Sequence, residues 1–455
     1  MQNVFKIFGH PLIKWPGFTI LSLLAIWLIG GNLSASVQEK KIEEKLEQFS
    51  QELPPTDFNQ TTIELRTLVA QLGIPFYHWP YAEGEENPFV VVISESDQQI
   101  WEKLKNPLTE YLEAQLLHPT DEIAPIPLEL KQYLVDKQGT LNAIKELIKT
   151  QELPVFKTDL NPVITGQFDL PIPSFAGLVE IQKILSLDSL EKQQSGKLAE
   201  AREMWETGWK INQSLRENPY LIGQLVGLIN ERYLTGTARK LTGVPGEWQQ
   251  RITEHDPVAS MITSLTGEFF GQFSFMRSLA LYPDSISNGM VTTEFLSASP
   301  NWLMKVLNPL SKPYFRWSAI DTYQTADDFL AQIPLEIQRA CSESDPELKS
   351  QQVANWNILG QISQPSFMSQ VVKAQRAMLN NEFTQKILEL KAQPNIATVS
   401  LTPVESTVCQ GYQWVYERGE NNTVSVSLSP EPPWLQEKLE EKQALPLSYT
   451  LRPQN

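Results

Sequence analysis

From Trp15 to Gln38 the chain carries no Asp, Glu, Lys or Arg, and its centre, Phe18-Thr-Ile-Leu-Ser-Leu-Leu-Ala-Ile-Trp-Leu-Ile29, is almost wholly apolar. Coiled as a helix, a run of this length crosses a bilayer core. Downstream the pattern changes to amphipathic. Val37 to Leu53 sets Ile42, Leu46 and Phe49 on one stripe among Glu and Lys, which predicts a helix serving as a stalk or lying on the domain. Pro54-Pro55 ends it, and a second amphipathic segment over 56–72 stops at Gly73 and Pro75. Phe89-Val-Val-Val-Ile93 is the strand candidate of the first half.

From Asp97 to about Gln393 the apolar positions follow helical period. They predict helices over 97–105, 108–117, 127–136, 140–151, 174–193, 196–216, 219–242, 257–281, 300–308, 314–331, 346–360 and 366–392, with prolines in the breaks. After Pro394 the pattern turns to alternation. Segments 396–401, 412–416 and 423–428 read as strands, Glu417-Arg-Gly-Glu-Asn-Asn422 supplies turn chemistry, and a last strand is expected near 447–451. The expected fold class is mainly α: an N-terminal transmembrane helix, a large domain of stacked helix pairs and a small C-terminal β-hairpin module. The expected divisions are 1–36 for arm and anchor, 37–395 for the helical domain and 396–455 for the hairpin module and tail.

Lys6 and Lys14 precede the apolar run and the first acid, Glu39, follows it. Positive residues stay on the cytoplasmic side, so the expected topology is single-pass in a bacterial inner membrane, N-terminus inside and bulk outside. Ser34-Ala35-Ser36 offers small residues for signal cleavage, but the run exceeds a usual signal core, and retention is favoured.

Lys14-Trp15-Pro16-Gly17-Phe18-Thr19 followed by Leu23 and Leu24 resembles the processing site of type IV pilins and pseudopilins, which are cut after a glycine preceding Phe-Thr and a helical apolar stem. The resemblance implies processing between Gly17 and Phe18. It departs from the family at Ser22, where a glutamate is usual, and at Pro16, where a basic residue is usual. Gly196-Lys-Leu-Ala-Glu-Ala201-Arg-Glu-Met-Trp205-Glu-Thr-Gly208 resembles the second helix of a tetratricopeptide unit, in which small residues let two helices approach; no second copy at a fixed period supports an array. As a whole the chain resembles bacterial single-span anchored helical proteins, a resemblance that implies no particular activity.

At 455 residues, 41 % of them hydrophobic, the chain can bury a large core. Its formal charge of −16 argues against a nucleic-acid partner, because phosphate contacts need clustered Lys and Arg. The two cysteines, Cys341 and Cys409, are the candidate disulfide, which in an oxidising compartment pins the C-terminal segment to the helical body; two separate buried thiols are the alternative.

Candidate chemistry is sparse. Four histidines are too scattered for a metal site: His78 lies among aromatics, His118 sits at a helix end, and His255 stands between Glu254 and Asp256 without an identifiable Ser or Cys partner. Ser189-Leu-Glu-Lys192 has Ser-x-x-Lys spacing but lacks companion motifs, and reads as an exposed i,i+3 pair. Asp284-Ser-Ile-Ser-Asn-Gly289 begins like a calcium loop but has Ile286 and Phe295 at ligand positions. No cofactor or metal is expected. Gly223 and Gly227, four apart, point to close helix contact. The aromatics Phe269, Phe270, Phe273, Trp302 and Trp317 suit core packing first and an apolar groove second. The expected function is a non-enzymatic, membrane-anchored extracytoplasmic protein working through a protein partner. The alternatives are a pseudopilin-like subunit of a secretion or pilus system, and an exported enzyme with a cleft gathering perturbed acids or His255.

Overall fold

The computed structural model describes residues 19, 22–53, 59–75, 91–156, 175–216, 218–281, 301–337, 341–342, 353–363, 367–394, 396 and 400–452, with the side chains of 301–308, 335–336, 363 and 421 excepted. The described residues are mainly helical, with one small C-terminal sheet.

A continuous helix runs from residue 22 through a π-helical turn, Ile26–Gly30, into α1 (Gly31–Glu52). Then come α2 (Gln60–Gln71), α3 (Glu95–Leu117), α4 (Leu128–Thr150), α5 (Phe175–Gln194), α6 (Leu198–Gln213), α7 (Leu221–Lys240) and α8 (Glu247–Glu254). These lead to α9 (Pro257–Leu281), α10 (Asn301–Glu336), α11 (Ile358–Ser363) and α12 (Phe367–Lys391). Local chemistry sets the starts. Asn59 caps α2 by accepting from the Thr62 amide at 3.0 Å, and Ser94 caps α3 by accepting from Asp97 at 3.1 Å. Gly73, just past α2, sits at φ +83°, where a side chain would meet the Asp97 carbonyl.

Three predicted breaks are absent. Segments 97–105 and 108–117 merge into α3 through Pro107, 127–136 and 140–151 merge into α4 across Gly139, and 300–308 and 314–331 merge into α10 through Pro309 and Pro313. A proline removes one helical hydrogen bond, but at Pro107 the burial of Trp101 before it and Leu108 after it outweighs that loss. The short α8 was not anticipated. Val91–Ile93, the described part of the first predicted strand, forms no strand.

Among the described residues, five apolar clusters make the interior. The largest gathers α2 to α7 around residues such as Leu112, Tyr133, Ile144 and Leu178. Trp205, Trp209 and Trp248 join α6, α7 and α8 in another, with Trp205 and Trp248 stacked at 3.6 Å. α9 and α10 pair as long neighbours, and α1 lies on them through Ile42 and Leu46, with Phe49 packed at the edge. The amphipathic stripe read from the sequence is therefore a docking face.

The sheet is antiparallel in the order β1 (Val404–Glu405), β2 (Gln413–Arg418), β3 (Val424–Ser429), β4 (Ser448–Leu451), with α13 (Leu435–Glu440) between the last two. Trp414 opposes Leu428, and Val426 opposes Tyr449. Their alternation turns Trp414, Val424, Val426, Tyr449 and Leu451 onto Phe383 and Ile387 of α12, so the 396–455 segment shares its core with the helical body. Cys341 and Cys409 are joined by a disulfide with Cα atoms 5.7 Å apart, tying the chain beyond α10 to the turn before β2.

Among the described residues no helix is long and apolar enough to cross a membrane. Most of the apolar run before Ser22, including the Gly17–Phe18 candidate processing site, lies outside the described residues.

Candidate functional site

Helix α7 buries the polar half of its length rather than the apolar half. Its apolar first half is partly exposed, with Ile222 and Ile229 open to solvent, while its polar second half is buried. Glu231, Thr235 and Arg239 recur every four residues on the face toward α12 and form a polar ladder there. Asn381 donates to Glu231 at 2.8 Å, Asn380 donates to Thr235 at 2.8 Å, and Arg239 donates through Nε to Thr384 at 3.0 Å. Burial pushes the Glu231 carboxyl up to about 7, against the opposing pull of Asn381 and Arg216.

The C-terminal end of the ladder carries three cations, Arg239 and Lys240 buried and Lys391 half-buried. Arg239 donates to the Pro446 carbonyl at 3.1 Å and lies over the Phe383 ring at 4.6 Å. Lys240 donates to the carbonyls of His118 and Glu122, and Lys391 donates to that of Leu241 at 2.9 Å. Burial lowers both lysines to about 8. Tyr449 donates to the Arg239 carbonyl at 2.8 Å, and the Thr450 amide donates to Pro119. These contacts cap exposed carbonyls and fasten the sheet to α3, α7 and α12.

At the other end of the ladder α7, α12 and the C-terminal segment line a cavity of about 440 Å³. Leu225, Leu228 and Ile229 of α7 and Trp434, Leu445 and Leu447 of the C-terminal segment supply apolar wall. Arg232, Lys373, Arg376, Lys438 and Lys442 supply positive charge, and Glu231 is the one acid lining it. Lys438 pairs with Glu437 and Glu441, Lys442 with Glu113 at 3.4 Å, and the Arg376 guanidinium lies 4.2 Å from the Trp434 ring centre. The Arg232 guanidinium lies 5.8 Å from the Tyr233 ring centre, and its Nε and Nη2 are buried away from the cavity with no hydrogen-bond acceptor among the described residues. The volume is in the range of small-molecule sites, and the chemistry is an apolar chamber with a cationic wall on an acidic protein.

The residues singled out in the sequence lie elsewhere. Phe269 packs edge-on against Phe367 in one core cluster, and Phe270 and Phe273 pack on Tyr323 in another, with Trp317 at its edge. They are core, not groove; the Trp302 side chain lies outside the described residues. His78 and the 284–289 loop lie outside them too. Ser189 and Lys192 are buried rather than exposed, and Lys192 binds Asp188 at 2.6 Å, leaving no Ser–Lys dyad. Burial raises the Asp188 carboxyl, with Lys192 pulling the other way.

His255 does have a serine partner, Ser260, at 2.9 Å. Burial and the nearby Arg216 lower the imidazole to about 4, too weak a base to activate a hydroxyl at neutral pH. Asp256, the adjacent acid, is occupied by the amides of Val258 and Ala259 at the start of α9. Among the described residues no group of His, Cys, Asp and Glu has the arrangement of a metal site. Gly208 meets Gln182 of α5 closely, as the helical-hairpin resemblance implies; in α7, Gly236 closely meets Leu116 of α3, Gly223 is crowded by the Asn218 side chain just before the helix, and Gly227 makes only ordinary contact with Leu215.

The cavity escaped sequence reading because its walls come from residues 225–232, 373–380 and 434–447. The one local signal was the reversal within α7, where charged residues follow the apolar turn. No protein-family model, curated protein or solved structure matches the chain.

Proposed function

We propose that this chain is a non-enzymatic protein tethered to a membrane by its N-terminal helix, displaying its helical domain outside the cytoplasm for interaction with other proteins. The observation that carries the reading is the two-faced stem. Leu23, Ile26, Ile29, Leu33 and Val37 fall on one side at helical period, and all are exposed. The opposite side is bonded to α10: Trp27 donates to the Leu310 carbonyl at 2.9 Å, Trp317 to that of Gly31 at 3.2 Å, and Arg316 to Asn32 and Glu39. A contiguous apolar face this long marks a contact with lipid or protein.

A helix of twelve residues, the number from Trp15 to Ile26, is about 18 Å long, less than a bilayer core of about 30 Å. On this reading the end of the domain meets the headgroups, and the stripe as far as Val37 faces lipid. Aromatics suit that level. Trp27 is there, and one turn beyond Leu310 the Tyr314 ring meets exposed Trp356 at 6.1 Å, with Ile358 and Ile362 exposed on the adjoining α11. The disulfide suits an oxidising compartment. The polar groups most suited to chemistry, Lys192, His255 and Asp256, are engaged in structural contacts, which favours binding over catalysis.

Carbonate extraction of cell membranes tests the tether: the chain stays with the pellet, and Ile26→Asp with Ile29→Asp releases it. Loss of the unaltered chain to the supernatant overturns the reading. The same uninterrupted stem suits a pseudopilin-like subunit, and sequencing the mature N-terminus separates the two. A new end at Phe18 selects the pilin route, and an end at Met1 or Gln2 removes it.

A further inference from the structure

We infer that α11 is a second membrane contact of this protein, with Trp356, Ile358 and Ile362 seated where the headgroups of the bilayer meet its acyl chains. The inference rests on the tether proposed above and goes beyond it, because it fixes which surface of the domain lies against the lipid. Depth, charge and the orientation of α11 carry it.

Depth follows from the way the stem and α10 run side by side in one direction. Trp27 meets Leu310 and Lys45 meets Asp327, separations of 283 and 282 positions, so a level on one helix reads directly onto the other. The Trp356 ring meets that of Tyr314, and the Asn357 amide donates to the Ser318 carbonyl at 3.1 Å and to Asp321 at 2.9 Å. Positions 314 to 321 of α10 stand level with Asn32 to Glu39 of the stem. The uncharged run of the stem ends there, at Gln38. A bilayer core of about 30 Å takes about twenty helical residues, and that length counted from Trp15 ends at Ser34. The polar boundary of the membrane and α11 therefore coincide in depth.

Charge agrees. Charged residues make up 20 % of the chain, yet none occurs from Ser350 to Val372, which with Trp15–Gln38 is one of its two longest uncharged runs. The orientation of α11 is the reverse of that of a helix on a water-facing surface. Polar Asn357 is wholly buried against α10, Leu359 packs on the α9–α10 cluster, and Gly360 closely meets Thr322. Ile358 and Ile362, four apart on the outer side, are 60 % and 78 % exposed, with Trp356 beside them at 47 %. Apolar side out is costly in water and favourable against acyl chains. An indole at its edge suits the level where aromatics gather in membranes. Lipid is the occupant because the tether already holds it at this depth, and a protein partner would have to displace it.

The test places a nitroxide label on the full-length chain in phosphatidylcholine nanodiscs. It compares the label's accessibility to oxygen, which concentrates in lipid, with that to a water-soluble nickel chelate. Cys341 and Cys409 are paired, so an introduced thiol alone takes the label. Ile362→Cys is the probe, and Ile358→Cys replaces it should the first variant fail to fold. Ile29→Cys reports the stem, and Val135→Cys, exposed on α4, reports water. The expected oxygen-to-nickel ratio on α11 is severalfold above that at Val135 and approaches that at Ile29. A ratio on α11 equal to that at Val135, with Ile29 in lipid, overturns the inference and leaves the tether standing. An Ile29 label in water overturns both.

Discussion

Glu39 of α1 and Arg316 of α10, 277 positions apart, form a two-pronged ion pair in which Nε donates to Oε1 at 2.8 Å and Nη2 donates to Oε2. Glu39 is buried, Arg277 stands 3.8 Å away on its other side, and Arg316 also donates to the side chains of Asn32 and Ser36. One guanidinium thus holds three successive steps of the stem. Removing Arg316 leaves buried Glu39 with the longer contact to Arg277, and loss of one partner of a buried pair costs about 3 kcal/mol. Arg316→Ala is therefore expected to speed hydrogen exchange in α1 while leaving α4 and α5 protected. Unchanged exchange in α1 speaks against the clamp.

The disulfide closes a separation of 68 residues across the junction of helices and sheet. Chain-entropy reasoning gives about 4 kcal/mol for a loop of this length. Reduction, or Cys341→Ser with Cys409→Ser, is expected to lower the denaturant midpoint accordingly. A midpoint indifferent to reductant contradicts the pairing.

Glu231 gives stability a pH dependence of known sign. Its folded-state value, about 7, lies above the ordinary 4.5. The native state therefore holds its proton more tightly; the benefit is complete below pH 4.5 and lost as pH rises through 7. Compared with Glu231→Gln, the unaltered chain is expected to lose up to about 3 kcal/mol between those limits. Denaturant titrations of both at pH 5 and pH 8 check this; parallel behaviour rejects it.

Gly73→Ala introduces a side chain at φ +83° and a Cβ 2.3 Å from the Asp97 carbonyl oxygen. Backbone strain and this clash with α3 together predict a loss of at least about 2 kcal/mol. Gly139→Ala, in open space inside α4, is expected to stabilise by up to about 1 kcal/mol. Thermal melts of the two variants should move in opposite directions.

Elements with a strong local period were legible in the sequence. α9 matches residue for residue, and the last strand appears where turn signals and alternation put it. The Ile42–Leu46 stripe, likewise, is the docking face of α1. Errors arose where tertiary burial overrode a local rule. α3 continues through Pro107 and α10 through Pro309 and Pro313, and Val91–Ile93 has no partner strand among the described residues. Burial itself was harder still to foresee. Ser189 and Lys192 carry the composition of a surface pair, yet Asp188 allows the lysine inside. In α7 the polar half is buried because Asn380, Asn381 and Thr384, some 145 residues later, supply the partners. The cavity was illegible for the same reason, since a wall assembled from three distant segments has no period in any one of them.

Protease digestion of intact spheroplasts, followed by immunoblotting for an epitope at the N-terminus and another after Asn455, tests the tether and its orientation together. The account predicts that the C-terminal epitope is destroyed while a short membrane-bound N-terminal fragment survives. Full protection of the C-terminal epitope until the cells are lysed, with the chain then recovered in the soluble fraction, would contradict it.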